Sequence, residues 1–189
     1  MSVYAIAVFL HIVGALGLFA AMGLEWAGLH NLRRVATAGQ LREWARLLGA
    51  IRFIGGPAAL TLLITGIYMS AVRWGQQGWI SLGLVGLILI AVLGAVLTGR
   101  RVAAIVRALP PEDGPIPSVL RDRLHDPVLR VSAWLRTALA LGIVFNMSTK
   151  PSGAVALTTL GVSLVFGLAA GLQSSRRPAV SVGSLSRES

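Results

Sequence analysis

The 189-residue chain reads as an all-α protein: a polytopic transmembrane bundle of five helices, with the N-terminus outside and the C-terminus inside the cell. Three observations predict this. First, 55% of the residues are hydrophobic and 13% are charged, against about 25% charged in an ordinary soluble domain. Too few polar residues remain to cover a globule in water. Second, the apolar residues fall in blocks close to the ~20 residues that cross a ~30 Å hydrocarbon core as a helix. Third, the basic residues between the blocks alternate from side to side.

The predicted spans are 3–24, 51–72, 80–99, 131–147 and 153–172, a single bundle over residues 1–172. The first is a retained helix rather than a signal peptide: no basic residue precedes Arg33, and its apolar run is longer than the 7–15 residues of a signal h-region. Residues 33–48 read as a basic amphipathic helix on the inner surface, with Leu41, Trp44, Ala45 and Leu48 on one side. Residues 100–109 continue the third helix, and the Pro/Gly-rich stretch 110–117 ends it. Asp126–Pro127 has the N-cap and N1 chemistry that opens the fourth helix. The stretch 148–152 (STKPS) suits a tight hairpin, and 173–189 reads as a disordered cytoplasmic tail.

Loop charge sets the orientation. Arg33, Arg34, Arg42, Arg46 and Arg52 lie between or at the ends of the first two spans. Arg100, Arg101, Arg107, Arg121, Arg123 and Arg130 lie between the third and fourth, and Arg176, Arg177 and Arg187 follow the fifth. The alternate loops hold only Arg73 and Lys150. Fourteen basic residues against two place the first set in the cytoplasm. Tyr4, Tyr68, Trp74 and Trp79 then fall at outer ends, and Trp26, Trp44 and Trp134 near the inner face, as interfacial aromatics do. The net charge of +10 therefore points to anionic lipid headgroups rather than nucleic acid.

His11 is the outstanding residue, because an ionisable group within a span is costly and marks a site. It lies about 10 Å below the outer end of the first helix. Three readings stand: a neutral imidazole hydrogen-bonded across helices, a metal or haem ligand, and a proton-handling group. His30 is 19 residues away, about 28 Å along a helix, so bis-His haem within one monomer is excluded; a His/Met haem b, or a haem shared between subunits, remains open. Met69 and Met147 sit at outer helix ends and, with His11, offer soft ligands for copper(I). Glu25, Arg52 and Arg136 are charges near the inner edge. Glu25 is expected to pair with Arg52 or Arg136, Arg52 being favoured because consecutive helices are usually neighbours. Gly55, Gly56 and Pro57 predict a kink in the second helix, with close packing or a broken, cavity-lining helix as its two meanings.

Cysteine is absent, which removes disulfides, thiol catalysis and Cys-based metal sites. The sequence contains no HExxH, GxSxG, P-loop or dinucleotide fingerprint.

The stretches FLHIVGALGLFAAMGLEW (9–26) and LRTALALGIVFNMSTKP (135–151) together resemble a family of small bacterial integral membrane proteins of unknown function. That family is distantly similar to the membrane domain of the copper-resistance protein CopD. The resemblance spans most of 5–172. It implies a five-helix bundle in a bacterial inner membrane, and copper import by the CopD relatives maps onto His11 and Met147. The expected function is that of an integral inner-membrane protein without enzymatic activity of its own, an accessory subunit of a membrane complex. The alternatives are a copper- or haem-handling protein built on His11 and a small-solute transporter using the kinked second helix.

Overall fold

The computed structural model describes residues 2–176, and every regular element in that range is helical. Seven α-helices follow in chain order: α1 (Val3–Leu32), α2 (Ala38–Met69), α3 (Gly78–Leu93), α4 (Arg100–Arg107), α5 (Ser118–Leu124), α6 (Pro127–Thr149) and α7 (Gly153–Arg176). Short π-helical turns extend α2 through Ser70–Trp74 and join α3 to α4 through Gly94–Gly99. Five helical stretches are long and apolar enough to cross a membrane, so the chain is built as a multi-pass membrane protein.

Side-chain chemistry sets the ends. Ser2 and Thr37 cap α1 and α2 by accepting from the Ala5 and Gln40 amides. Asp126 accepts from the Val128 amide at 2.8 Å, with Pro127 in the first helical position. Lys150 closes α6 in a left-handed conformation, φ 51°, and Pro151 prevents the helix from continuing.

The helices associate as two antiparallel hairpins, α1/α2 and α6/α7, with α3 laid against α6 and α7. Small residues permit the approach. A Cβ on Gly14 would stand 3.2 Å from Ala58 O, and one on Gly167 3.0 Å from Trp134 O. Backbones this close gain dispersion contact where no hydrophobic effect drives helices together. Asn146, fully buried, donates to Ala156 O at 3.1 Å and fastens α6 to α7 near their connection.

The basic end departs from expectation. Residues 33–48 do not form a separate surface helix: 38–48 are the first turns of α2, and α1 runs on to Leu32. Nothing in Leu48–Gly49–Ala50 stops the helix. The apolar face carrying Leu41 is covered by protein, in a core with Leu29, Leu32, Ile105, Ile116, Leu120, Leu124 and Leu129. The connection 108–117 straps this core. Asp113 accepts from the Gly39 amide at 2.8 Å and the Gly114 amide at 3.0 Å, and Gly114 O accepts from the Ala38 amide. The Gly39 bond, foremost, holds the Asp113 carboxyl below its ordinary pKa.

Gly55, Gly56 and Pro57 lie inside one unbroken α2. Pro57 is exposed, and Gly55 packs beside Ala21, where a Cβ would stand 3.3 Å from the Ala21 methyl. Of the three only Gly55 packs closely, a Cβ on Gly56 would meet open space, and none lines the cavity described below. Residues 173–176, expected as the start of the tail, are helical and belong to α7; 177–189 lie outside the described residues.

Candidate functional site

The described residues hold two polar groupings within the spans, one toward each end of the bundle. The first is closed. Arg136, 6% exposed, reaches from α6 to Glu25 of α1 with two parallel bonds: Nη1 to Oε2 at 2.8 Å and Nη2 to Oε1 at 2.5 Å. Its Nη2 also donates to Thr98 Oγ1 at 3.2 Å and its Nε to Ser132 O at 3.2 Å. Thr98 and Ser132 share a further hydroxyl contact at 3.0 Å. Trp26 Nε1 donates to Thr137 Oγ1 at 3.0 Å one turn away, and the Trp26 and Trp134 rings meet edge-on at 5.2 Å. The π-helical turn carries Thr98 to the guanidinium, and Gly94 leaves room for it: a Cβ there would lie 3.2 Å from Nη1. This grouping ties α1, α3 and α6 at one depth.

Arg52, the favoured partner of Glu25 in sequence, is not in the pair. It is exposed, with its guanidinium carbon 4.9 Å from the Phe53 ring centre. Sequence adjacency put α2 beside α1, but the face of α2 bearing Arg52 turns outward. Arg136 is the deeper charge, so it gains more from a partner.

The second grouping is open. A cavity of about 570 Å³ lies between the α1/α2 hairpin and the α3/α6 pair, toward the Lys150 end. His11, Met69 and Met147 all line it. Its floor is apolar, with Phe19, Leu87 and Ile90; its mouth carries Trp74, Ser148 and Lys150. Lys150 Nζ stands 4.5 Å over the Trp74 ring, and Trp74 meets Trp79 edge-on at 5.6 Å. Trp74 Nε1 donates to Tyr4 OH at 3.1 Å, joining α1 to the end of α2.

His11 is bound across helices. Its Nδ1 lies 2.9 Å from Thr65 Oγ1, and the Thr65 hydroxyl is itself 2.6 Å from Thr61 O. A hydroxyl has one hydrogen. Thr65 gives that hydrogen to Thr61 O, so its oxygen accepts from His11 Nδ1–H. With the Thr65 hydroxyl so committed, Nδ1 carries a proton and donates to it. Among the described residues Nε2 takes no hydrogen bond. The cross-helix hydrogen bond of the first reading is present, and the second ring nitrogen has no protein partner among the described residues.

His30 and His125 lie at the opposite end, both exposed or hydrogen-bonded locally to Arg121 O in the case of His125. Among the described residues no cluster of three His, Cys, Asp or Glu could hold a metal ion; a metal at His11 would rely on thioethers. Sequence reading missed Thr65 and Lys150 as partners of the site. A buried hydroxyl about one turn from the end of α2 looks like any other Thr, although Thr65 sits at a depth matching His11 once α1 and α2 are paired as a hairpin. No family model, curated protein or solved structure matches this chain.

Proposed function

We propose that this is a bacterial cytoplasmic-membrane protein, N-terminus outside and C-terminus inside, that holds a lipophilic ligand in the His11 cavity and serves as an accessory subunit of a larger membrane assembly. The cavity carries the reading. A cleft of about 570 Å³ stands between two helix pairs, open on the side where Ile12 and Leu16 are exposed. At ~30 Å³ per water-sized unit this is room for about twenty such units. The walls suit an apolar body, and the polar atoms sit at two places, His11 in the wall and Lys150 at the mouth. Binding sites of this kind are concave and apolar, with a few placed polar groups. The fourteen-to-two distribution of loop basic residues supports the orientation, which puts the mouth at the outer face and the arginines among anionic headgroups. A distant relationship to the CopD membrane domain belongs to the same proposal.

Native mass spectrometry of the protein extracted in mild detergent tests the ligand reading. The expected result is a discrete small-molecule adduct that Gly66→Leu removes without loss of helix content. A Cβ at Gly66 stands 3.6 Å from His11 and 3.8 Å from Leu84, so a longer side chain there enters the cavity. Retention of the adduct in Gly66→Leu, or its absence from the parent protein, overturns the reading. Reporter fusions after residues 40 and 115 should be cytoplasmic and those after 76 and 151 external; an external residue 115 reverses the orientation.

A further inference from the structure

We propose that the ligand of this cavity is haem b, held by His11 Nε2 from one wall and the Met147 thioether from the other. The inference rests on the ligand-binding reading above and narrows it to one chemical class.

Four observations converge. The first is the imidazole's hydrogen bond. Metal-ligating histidines donate their other ring N–H to a fixed acceptor, which orients the ring and frees the second nitrogen. The Thr61–Thr65–His11 chain supplies such an acceptor to Nδ1, and it leaves Nε2 without a hydrogen-bond partner among the described residues, on a residue that lines the cavity. The second is the opposing sulfur. His11 belongs to the α1/α2 hairpin and Met147 to α6, so the two come from facing walls. The Met147 methyl packs against Gly83 of α3, which places the thioether on the α3 side of the cavity. His and Met are an axial pair that haem iron accepts.

The third observation is size. A lone copper(I) ion also suits imidazole and thioether, but it would leave most of about 570 Å³ unfilled between apolar walls. A porphyrin is a large apolar disc and fills such a space. The fourth is polarity. Haem b carries its two carboxylates on one edge, and the cavity carries its cation at one end. The hydroxyls at the mouth have given their hydrogens away, Ser70 to Gly75 O and Ser148 to Val144 O. Lys150 is left as the charged donor there, exposed and over Trp74. A fatty acyl chain would meet the third and fourth observations but would leave His11 Nε2 facing hydrocarbon.

The test uses the full chain, purified in detergent and titrated with haemin, read by absorbance in both redox states and by native mass spectrometry. Expected is one haem per chain with the low-spin spectrum of a six-coordinate iron. His11→Ala should abolish that spectrum. Met147→Leu should keep haem but convert it to a high-spin, five-coordinate form. Thr65→Val should weaken haem binding about tenfold or more and Thr65→Ser restore it, as for a positioning residue behind a ligand. Lys150→Ala should weaken loading roughly tenfold, about the worth of one charge-assisted hydrogen bond. Met22→Leu, a core methionine that packs behind the cavity floor without lining it, should leave the spectrum unchanged, and circular dichroism checks that each variant is folded. A low-spin spectrum that survives His11→Ala, or one lost with Met69→Leu and kept in Met147→Leu, overturns the ligand assignment. A bound lipid, or stoichiometric copper(I) with no Soret band, overturns haem while the cavity reading stands. A cavity that takes no ligand of any kind overturns both.

Discussion

The Glu25–Arg136 grouping and the His11 cavity both place polar groups inside the bundle, about 21 Å apart along α1 by residue count, and they handle the cost in opposite ways. Around Arg136 each guanidinium nitrogen has an acceptor, from α1, α3 or α6 itself, and small residues close the backbone over it. Around His11 one nitrogen is satisfied and the other faces a void. A buried charge must be fully partnered or the helices separate. An imidazole tolerates one unpartnered nitrogen beside a cavity, at the smaller cost of an unmade hydrogen bond. The first arrangement holds helices together; the second keeps them apart and keeps a ligating atom ready.

The comparison breaks most clearly at the ion pair. Glu25→Ala or Arg136→Met should each cost about 3 kcal/mol or more, since the surviving charge is left buried. The exchange Glu25→Arg with Arg136→Glu should recover more than half of that loss in a detergent unfolding titration. Equal instability of the double variant means that Thr98 and Ser132, not the pair, set the register of α1 on α6.

One substitution at two glycines separates closed from open packing. Gly94→Leu drives a side chain into the guanidinium and should destabilise by about 1–3 kcal/mol, the usual range for overpacking. Gly66→Leu enters free space and should shift the unfolding midpoint by less than about a third of that. Similar losses at both sites would mean that the cavity collapses in the free protein.

A smaller effect belongs to the His11 bond. Thr65→Val should cost about 0.6 kcal/mol, the average for an interhelical hydrogen bond in a membrane protein, while Thr65→Ser should be neutral. A loss as large as that of Glu25→Ala would make His11 a structural fastener and remove its role as a ligand.

The smallest effect is at the basic end, where Asp113 clips the start of α2. Its folded pKa is depressed, so its contribution is fully present above the ordinary carboxylate pKa near 4 and is lost as pH falls through the folded value. Amide exchange at Gly39 and Gly114 should quicken only below about pH 4, and Asp113→Asn should remove the pH dependence. Amides around the His11 cavity should show no such acid step.

Much of this was legible in the residues. Hydropathy and length placed five spans, because a ~30 Å apolar solvent demands about twenty apolar residues per crossing. Asp126–Pro127 and Lys150–Pro151 marked helix ends through local backbone chemistry alone. His11 and Arg136 were visible as anomalies because charge and imidazole are rare inside spans. Legibility failed where the answer depended on which face of a helix meets which neighbour. Leu41 was an apolar residue on a basic helix, and the sequence could not say whether lipid or Ile105 and Leu120 would cover it. Arg52 was favoured over Arg136 as the partner of Glu25 by sequence adjacency, and the rotation of α2 that turns Arg52 outward reversed that order.

The sequence by itself determined the solvent, the number of crossings and the alternation of charge, since each is a sum over neighbouring residues that no folding partner alters. Only the tertiary structure decided that His11, Met69 and Met147 share one cavity, that Thr65 holds the imidazole from α2 and that Lys150 stands at the mouth. Those facts depend on the packing angle between two helix pairs, α1/α2 and α3/α6. One buried ion pair, Glu25–Arg136, joins α1 to α6 across those pairs.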